Sequence, residues 1–179
     1  KEKQTIAKLV ASMIEEGDSI ILDSSSTSLM VAQELKDRKK LTVITNSLEV
    51  LIEFSKSKGV QVISTGGMLK SSTLSLIGKN AEKTLENFYV DKAIISCKGL
   101  DIRKGVTDSS EDDAEIKKSM VSCSKRLIIA ADSTKFGRIS FAKVVDFRKG
   151  DILVTDTLLD DAWLQRLAEI GVVVVTEDS

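Results

Sequence analysis

A run of five hydroxyl residues follows a short apolar segment near the beginning of the sequence. The run, SSSTS at positions 24–28, comes directly after ILD at positions 21–23. Hydroxyl side chains compete for backbone hydrogen bonds, so such a run disfavours a strand or a helix interior. It is typical of helix N-caps and turns, and it also suits a phosphate group where backbone N–H groups point into the same space. The run alone is more often a cap, so the choice depends on which other residues gather near it.

Small and polar residues follow four further apolar segments that read as strands. They are Asn46-Ser47 after LTVIT, Gly66-Gly67 after VQVIST, Lys98-Gly99 after KAIIS, and DSTK (132–135) after RLIIAA. In an open parallel sheet the carboxyl ends of the strands lie along one edge, and ligands bind in the crevice outside them. We therefore expect all five segments to converge on one site. Each segment alone has a plainer role as a cap, a turn or a solvated lysine.

Together these segments offer hydroxyls, an amide, carboxylates, glycines that allow close backbone approach, and the lysines Lys98 and Lys135. This set suits a small, polyhydroxylated, phosphorylated ligand. The phosphate would bind at residues 24–28, where the start of a helix supplies free N–H groups and a favourable dipole. The sequence contains no P-loop and no G-x-G-x-x-G motif, which argues against a nucleoside triphosphate or a dinucleotide.

Composition excludes several kinds of active site. The 179 residues include no histidine, which rules out Ser-His and Cys-His nucleophiles and histidine-ligated metals. Cys97 and Cys123 lack metal-type spacing, so we expect no metal and no cofactor. The net charge of −1, from 26 basic and 27 acidic residues, gives no electrostatic footprint for nucleic acid.

The chain length fits one domain, and a hydrophobic content of 42% is enough for a sizeable core. No apolar run approaches the length of a membrane span, and no signal-peptide pattern opens the sequence. Free cysteines suit a reducing compartment, so we expect a cytoplasmic protein without a membrane partner.

The elements that must position these residues alternate between helix and strand. Predicted strands are 19–22, 41–45, 60–65, 92–96, 126–131, 151–155 and 172–176; predicted helices are 6–14 with Gly17 as C-cap, 29–35, 48–52 ending near Gly59, 111–124 and 160–170. This alternation predicts an α/β fold, Rossmann-like, with a mainly parallel open sheet flanked by helices on both faces. Residues 68–90 are less regular and predict a small irregular insertion with a short strand at 75–77.

Seven segments resemble, in order and spacing, the C-terminal sensor domain of DeoR-family transcriptional regulators. They are GDSIILDSSSTSLMVAQEL, LTVITNS, VISTGGMLK, SLIGKNAEKTL, VDKAIIS, KGLD…GVTDSSEDDAEIKKSM and IIAADSTKFG. The resemblance covers residues 5–175, and the TNS, TGG and DSTKFG segments are specific when they occur together. It implies a fold similar to that of ribose-5-phosphate isomerase and CoA-transferases.

The resemblance also implies a function. In that family, binding of a phosphorylated sugar or a related metabolite changes the affinity of a repressor for its operator DNA. A winged helix-turn-helix domain precedes the sensor domain, so residues 1–179 are expected to be one effector-binding domain, with residues 1–16 as a linker helix. DNA would be a partner only through that N-terminal domain. Because two DNA half-sites require a symmetric protein, we expect a homo-oligomer, a dimer or a tetramer.

Carried over position by position, the resemblance places the ligand site on a set of residues spread over the chain. They are Asp23, Ser25, Ser26, Thr27, Ser28, Thr45, Asn46, Ser47, Gly66, Gly67, Gly99, Glu111, Asp112, Lys117 and Lys135. Ser25 departs from the family, where many members have glycine. Lys98 stands at a position that the family does not fix, where it either helps to set which sugar binds or has no role.

An enzyme of the same fold is the alternative. A sugar-phosphate isomerase needs a carboxylate general base close to a carbon-bound proton. Asp23, Asp91 and Glu111 are the candidates, and none lies in a motif specific for catalysis. The lysine- and glycine-rich loop expected of ribose-5-phosphate isomerase is reduced here to Lys98-Gly99. We therefore favour a sensor with no catalytic residue.

Overall fold

Helices and strands alternate along the chain in the computed structural model, which describes residues 1–179. The helices are α1 (Glu2–Ser12), α2 (Ser26–Leu35), α3 (Leu48–Phe54), α4 (Lys79–Leu85), α5 (Glu111–Ser122) and α6 (Asp161–Ile170). The strands are β1 (Ser19–Leu22), β2 (Leu41–Thr45), β3 (Val60–Ser64), β4 (Met68–Lys70), β5 (Ser75–Ile77), β6 (Val90–Ile95), β7 (Gly99–Asp101), β8 (Gly105–Asp108), β9 (Ser124–Ala130), β10 (Ala142–Val145), β11 (Ile152–Val154) and β12 (Val173–Val175). None of the helices is long and apolar enough to cross a membrane.

Seven strands form one parallel sheet in the order β12-β11-β9-β6-β1-β2-β3. Strand β1 pairs with β6 on one side and with β2 on the other. Because helices cover both faces, the strands are continuous apolar runs rather than alternating ones, as the sequence predicts. The structure confirms the predicted α/β fold with an open parallel sheet.

The core consists of two apolar layers, one on each face of the sheet. Ile20 and Leu22 of β1 belong to the layer under α1, α2 and α3, whereas Ile21 belongs to the layer under α4, α5 and α6. Successive side chains of a strand point to opposite faces, so both layers hold the same strand. Each fully buried aliphatic side chain contributes roughly 1.5–3 kcal/mol. The carboxyl end of β1 is therefore firmly positioned.

Helix α1 is part of this core. Its buried residues are Ile6, Ala7, Val10 and Ala11. The helix ends at Ser12 with Met13 as its C-cap, so the prediction that Gly17 caps it is wrong. Gly17 has a φ of 92° and lies in the turn before β1, where a glycine adopts the left-handed region without strain.

Two antiparallel units lie outside the main sheet. One is the hairpin β4–β5, and the other is the three-stranded sheet β10-β8-β7. Only β5 is among the predicted strands. The irregular region 68–90 also contains the short helix α4, and α3 ends at Phe54 rather than near Gly59. Short elements of three to seven residues carry too little periodicity to be recognised in the sequence.

Candidate functional site

A polar pocket opens at the carboxyl edge of the sheet, beyond the ends of β1, β6 and β9. Its volume is about 250 Å³, and only one of its 14 lining residues is hydrophobic. The lining consists of Lys3 of α1, residues 24–27, Thr73, residues 96–98 after β6, Asp108 and Ser109 at the end of β8, Asp113 and Lys117 of α5, and Lys135. Ligands bind at this edge in open α/β sheets.

The hydroxyl run is folded around the carboxylate of Asp23. Oδ1 of Asp23 accepts hydrogen bonds from Ser25 N–H (3.0 Å), Ser25 Oγ (2.5 Å) and Ser28 Oγ (2.6 Å), and Oδ2 accepts one from Ser96 N–H (2.7 Å). Asp23 is 1% exposed. One buried carboxylate therefore fixes the loop after β1, the start of α2 and the end of β6 relative to one another.

Ser25 is the N-cap of α2, since its Oγ accepts a hydrogen bond from Ser28 N–H at 3.1 Å. The first N–H groups of a helix have no acceptor within the helix. Those of Ser26 and Thr27 therefore stay available at the pocket, which both residues line. The run thus combines a cap with a cluster of donors suited to an anion.

Lys117 of α5 is buried beneath the pocket. Its Nζ lies 2.5 Å from Asp108 Oδ2 and 3.4 Å from Asp23 Oδ2, and it donates to Ser96 O at 2.9 Å. Burial alone would lower the pKa of Lys117, but the carboxylates of Asp23 and Asp108 more than offset this effect, so the pKa is raised. We call Asp23, Asp108 and Lys117 the buried floor; it contains two carboxylates and one ammonium group.

Three further lysines surround the opening: Lys98 is exposed, and Lys3 and Lys135 are half-buried. None of them forms an ion pair within 4 Å. The ammonium group of Lys3 donates to Ser26 Oγ at 2.8 Å. We call these three residues the cationic rim; none of its charges is paired directly with a carboxylate, although Asp132 lies near Lys135.

The remaining wall joins the hairpin β4–β5 to α5. Lys70 Nζ lies 2.7 Å from Asp113 Oδ2 and 3.1 Å from Ser110 Oγ, and Ser110 is the N-cap of α5. Burial raises the pKa of Asp113, but the hydrogen bonds from Lys70 and Ser110 outweigh it, so the pKa of this carboxyl is lowered. Both Asp113 of α5 and Thr73, in the turn of the hairpin, line the pocket.

The predicted site residues divide into two groups. Those that line the pocket are Ser25, Ser26, Thr27, Lys98, Lys117 and Lys135. Asp23 and Ser28 are buried at its base and bonded to each other. The convergence of the segments after β1, β6 and β9 is therefore as expected.

The residues that follow β2 do not line the pocket. Ser47 Oγ caps α3 through Val50 N–H, and Asn46 Nδ2 donates to Leu76 O at 3.0 Å. Thr45 Oγ1 accepts a hydrogen bond from Ser47 N–H. The hairpin β4–β5 occupies the sheet edge above β2, because Leu76 N–H also donates to Asn46 O. Of the five predicted segments, those after β1, β6 and β9 therefore meet at the pocket, and those after β2 and β3 do not.

The glycines of the predicted site allow close backbone contacts or a left-handed backbone conformation. A Cβ on Gly67 would lie 2.6 Å from Ile77 O, and one on Gly99 would overlap Arg138 O. Gly66 has a φ of 63°, in the left-handed region. None of the three lines the pocket.

The acidic start of α5 also lies outside the pocket lining. Glu111 and Asp112 are exposed in the first turn of the helix. Acidic side chains at this position interact favourably with the helix dipole. Their placement fits a helix start, while the third acidic residue, Asp113, is the one that reaches the pocket.

Sequence reasoning missed seven lining residues: Lys3, Thr73, Ser96, Cys97, Asp108, Ser109 and Asp113. Asp108 and Ser109 end β8, a strand too short to be predicted, and Lys3 lies on a helix far from any strand end. Burial raises the pKa of the Cys97 thiol to about 12. The thiol is therefore not a nucleophile at neutral pH.

The chain is thus an α/β domain with an open parallel sheet and a polar pocket at the carboxyl edge of that sheet. Residues 1–157 match the family model described as "DeoR C terminal sensor domain". The chain belongs to this family of transcriptional-regulator sensor domains.

Curated proteins with similar sequences are named as transcriptional regulators. The chain is 42% identical over 168 residues to the uncharacterized HTH-type transcriptional regulator YulB of Bacillus subtilis, covering 94% of this chain and 65% of the relative. It is 36% identical over 157 residues to the transcriptional repressor AccR of Agrobacterium fabrum, covering 87% and 61%. It is 35% identical over 178 residues to the HTH-type transcriptional repressor GlcR of Bacillus subtilis, covering 99% and 68%. The chain thus spans about two thirds of the length of these relatives.

Solved structures show the same fold at low sequence identity. Ribose 5-phosphate isomerase A of Methanocaldococcus jannaschii has a TM-score of 0.54 at 15% identity, covering 75% of this chain and 53% of that chain. The translation initiation factor eIF-2B of Pyrococcus horikoshii OT3 has a TM-score of 0.53 at 20% identity, covering 80% and 56%. The fold is thus shared by an enzyme and by a protein of translation initiation, and function has to be argued from the site.

Proposed function

We propose that the pocket binds a phosphorylated sugar or a related phosphorylated metabolite, and that the domain reports this ligand to the DNA-binding part of a repressor. The observation that carries the proposal is the cationic rim. Lys3, Lys98 and Lys135 face the hydroxyl run at the start of α2, and none has a carboxylate partner within 4 Å.

The charges around the pocket favour an anion. The rim contributes three positive charges, the buried floor contributes two negative charges and one positive, and Lys70 and Asp113 cancel each other. These residues have an excess of two positive charges, and the nearby buried carboxylate of Asp132 reduces it to one. A phosphate monoester carries about −1.5 to −2 charges at neutral pH. The start of α2 adds free N–H groups and the positive end of the helix dipole.

The rest of the pocket suits the polyhydroxylated part of such a ligand. Thr73, Ser96 and Ser109 offer hydroxyl groups, and Asp108 offers a carboxylate. A volume of about 250 Å³ lies just below the range of about 300–1,000 Å³ typical of small-molecule sites. A compact metabolite fits this space better than a nucleotide.

The arrangement of carboxylates supports sensing rather than isomerisation. Asp91 lies at the start of β6, far from the carboxyl edge, and bonds Ser19 N–H. Asp23 already accepts four hydrogen bonds, and Glu111 is outside the pocket lining. Asp113 lines the pocket, but its lowered pKa makes it a weak general base at neutral pH.

The relatives extend the proposal to DNA and to assembly. Their names describe helix-turn-helix-type regulators and repressors, and the chain spans only part of their length. We infer that residues 1–179 form the effector-binding domain and that α1 leads from an N-terminal DNA-binding domain. Operator DNA is then a partner through that domain alone. Two-fold related half-sites call for a homo-oligomer, a dimer or a tetramer.

A melting experiment tests the phosphate site. Ribose 5-phosphate, glucose 6-phosphate and fructose 6-phosphate are each compared with the same sugar without phosphate. Ligand at 100 times its Kd stabilises the folded state by about 2.7 kcal/mol, so at least one phosphorylated sugar should raise the Tm while its unphosphorylated form does not. Equal stabilisation by both forms would leave the hydroxyl run as a helix cap only.

Two variants at one position sharpen the experiment. Ser26→Asp should abolish the shift, because a carboxylate would occupy and repel the position of the anion. Ser26→Ala removes the hydroxyl without adding charge and should keep part of the shift. Both variants should melt normally without ligand, since the Ser26 side chain is exposed.

A second measurement tests the alternative of an isomerase. Each sugar phosphate of the panel is incubated with the protein in deuterated water and examined by NMR. A sensor leaves the carbon-bound proton next to the carbonyl group unexchanged. Protein-dependent exchange at that carbon would establish general-base chemistry and contradict the proposal that the site only senses.

A further inference from the structure

Lys3 is the one rim lysine that does not belong to the sheet or its connecting loops. It lies in the first turn of α1, and its ammonium group reaches the pocket and donates to Ser26 Oγ at 2.8 Å. Burial raises the pKa of Asp132, but hydrogen bonds from Thr134, with smaller contributions from Lys135 and Lys3, outweigh it, so the pKa is lowered. A residue of α1 is thus a physical part of the site wall.

The two ends of α1 are attached to the domain in different ways. At the carboxyl end the guanidinium group of Arg38 donates to the carbonyl oxygens of Ala11 and Ile14, each at 3.0 Å. The middle is held by buried apolar side chains. At the amino end the bond from Lys3 to Ser26 is exposed and its acceptor is neutral. Such a bond competes with water and contributes little net stability.

We propose, building on the phosphate site of the proposed function, that Lys3 is a direct ligand of the bound phosphate and that the occupied pocket thereby fixes the first turn of α1. A phosphate oxygen carries a negative charge, so its hydrogen bond with the ammonium group of Lys3 gains a Coulombic attraction that the neutral Ser26 hydroxyl does not provide. The ligand therefore replaces the weak attachment at the amino end of α1 by a strong one. The carboxyl end, held by Arg38, is the same with and without ligand.

The first turn of α1 offers a local readout of this change. It is closed by the hydrogen bond from Thr5 N–H to Lys1 O at 3.2 Å. Opening of this turn exposes the amides of Thr5 and Ile6 to exchange with solvent. A ligand that binds only the closed turn should slow that exchange, because it lowers the population of the open form.

The experiment combines binding and amide exchange on residues 1–179. The probe is the sugar phosphate of the panel that gives the largest Tm shift, with inorganic phosphate as a second probe. We expect the probe to slow exchange of Thr5 and Ile6 by about threefold or more, while amides at the Arg38-capped end of α1 stay unchanged. Lys3→Met should weaken binding about 3- to 10-fold and remove the slowing.

Matched variants separate the role of the Lys3 charge from a general effect of replacing a lysine of α1. Lys8→Met removes the same charge from the exposed side of α1 without touching the pocket and should leave both readouts as in the parent chain. Lys3→Arg keeps the cation and should keep most of the affinity and the slowing. Unchanged binding and unchanged slowing in Lys3→Met would overturn the role of Lys3 while the phosphate site stands. If neither probe binds the parent chain, the phosphate site itself fails, and this role of Lys3 fails with it.

Discussion

The buried floor and the cationic rim contain the same kind of side chain in opposite circumstances. Lys117 of the floor is 7% exposed and lies between two carboxylates, whereas Lys3, Lys98 and Lys135 of the rim reach solvent and have no carboxylate partner. Without Lys117, Asp23 and Asp108 would be buried carboxylates with no counter-charge, so we expect Lys117 to stabilise the fold, whether or not it also contacts a ligand. An unpaired lysine near the surface costs little, so the rim keeps its charge for a ligand.

The largest expected effect is on stability, from removal of the floor lysine. Lys117→Met leaves Asp23 and Asp108 as buried carboxylates without a counter-charge. Breaking a buried ion pair in this way costs about 3–5 kcal/mol, which urea unfolding monitored by circular dichroism would measure. The neighbouring exposed lysine provides the control, since Lys118→Met should stay within about 0.5 kcal/mol. A loss below about 1 kcal/mol in Lys117→Met would show that the floor does not depend on this charge.

The next effect is on binding, from removal of a rim lysine. Lys135→Ala should weaken binding of the sugar phosphate by roughly 1.5–3 kcal/mol, the value of a hydrogen bond to a charged group. The free energy of unfolding without ligand should change by less than about 1 kcal/mol, because Lys135 forms no ion pair within 4 Å and attracts Asp132 only at longer range. Isothermal titration calorimetry gives the first quantity and urea unfolding the second. Lys58→Ala, an exposed lysine away from the pocket, should alter neither.

Measuring the free energy of unfolding as a function of pH tests the ion pair between Asp113 and Lys70 in the pocket wall. The pKa of Asp113 is lowered from its usual 3.8 in the folded state. Folding therefore favours the ionised carboxylate, and its contribution to stability is present above about pH 4 and is lost as the pH falls through the lowered pKa. In Asp113→Asn the decrease in unfolding free energy between pH 6 and pH 3 should be smaller than in the parent chain. Identical decreases in both proteins would mean that the ion pair with Lys70 contributes nothing.

The smallest expected effect concerns Lys98, the exposed member of the rim. An exposed charge contributes about 0–1 kcal/mol, so Lys98→Ala should lower affinity for every sugar phosphate by less than about fivefold. If Lys98 helps to set which sugar binds, the variant should also change the order of affinities among ribose 5-phosphate, glucose 6-phosphate and fructose 6-phosphate. An unchanged order would assign Lys98 to general attraction of the anion.

The main sheet and half of the pocket could be predicted because both depend on local patterns. Apolar runs followed by hydroxyl residues and glycines mark where buried strands end, and that is why residues 24–28, Lys98 and Lys135 are found from the sequence. Lys117 follows only from family resemblance. Its position in the middle of a helix gives no local sign that two distant carboxylates surround it.

The predicted residues after β2 and β3 do not reach the pocket, because another part of the chain covers the sheet edge there. Asn46, Ser47 and Gly67 follow strands whose ends point to the same edge as β1, but the hairpin β4–β5 lies over them. The pairing of three-residue strands leaves no periodic pattern in the sequence. Asp108 and Lys3 escape notice for the same reason, since tertiary packing rather than sequence position brings them to the pocket.

The hairpin β4–β5 limits the length of the crevice at the carboxyl edge of the sheet. An uncovered parallel sheet offers a crevice along its whole carboxyl edge, long enough for an extended dinucleotide. Here the hairpin closes the half above β2, and Thr73 of the hairpin bounds what is left. We expect the covered edge to limit the length of the ligand, so that a dinucleotide, which carries a base and a second sugar, would be too long to enter. The domain would then discriminate against dinucleotides by sterics alone, without a side chain that recognises and rejects them.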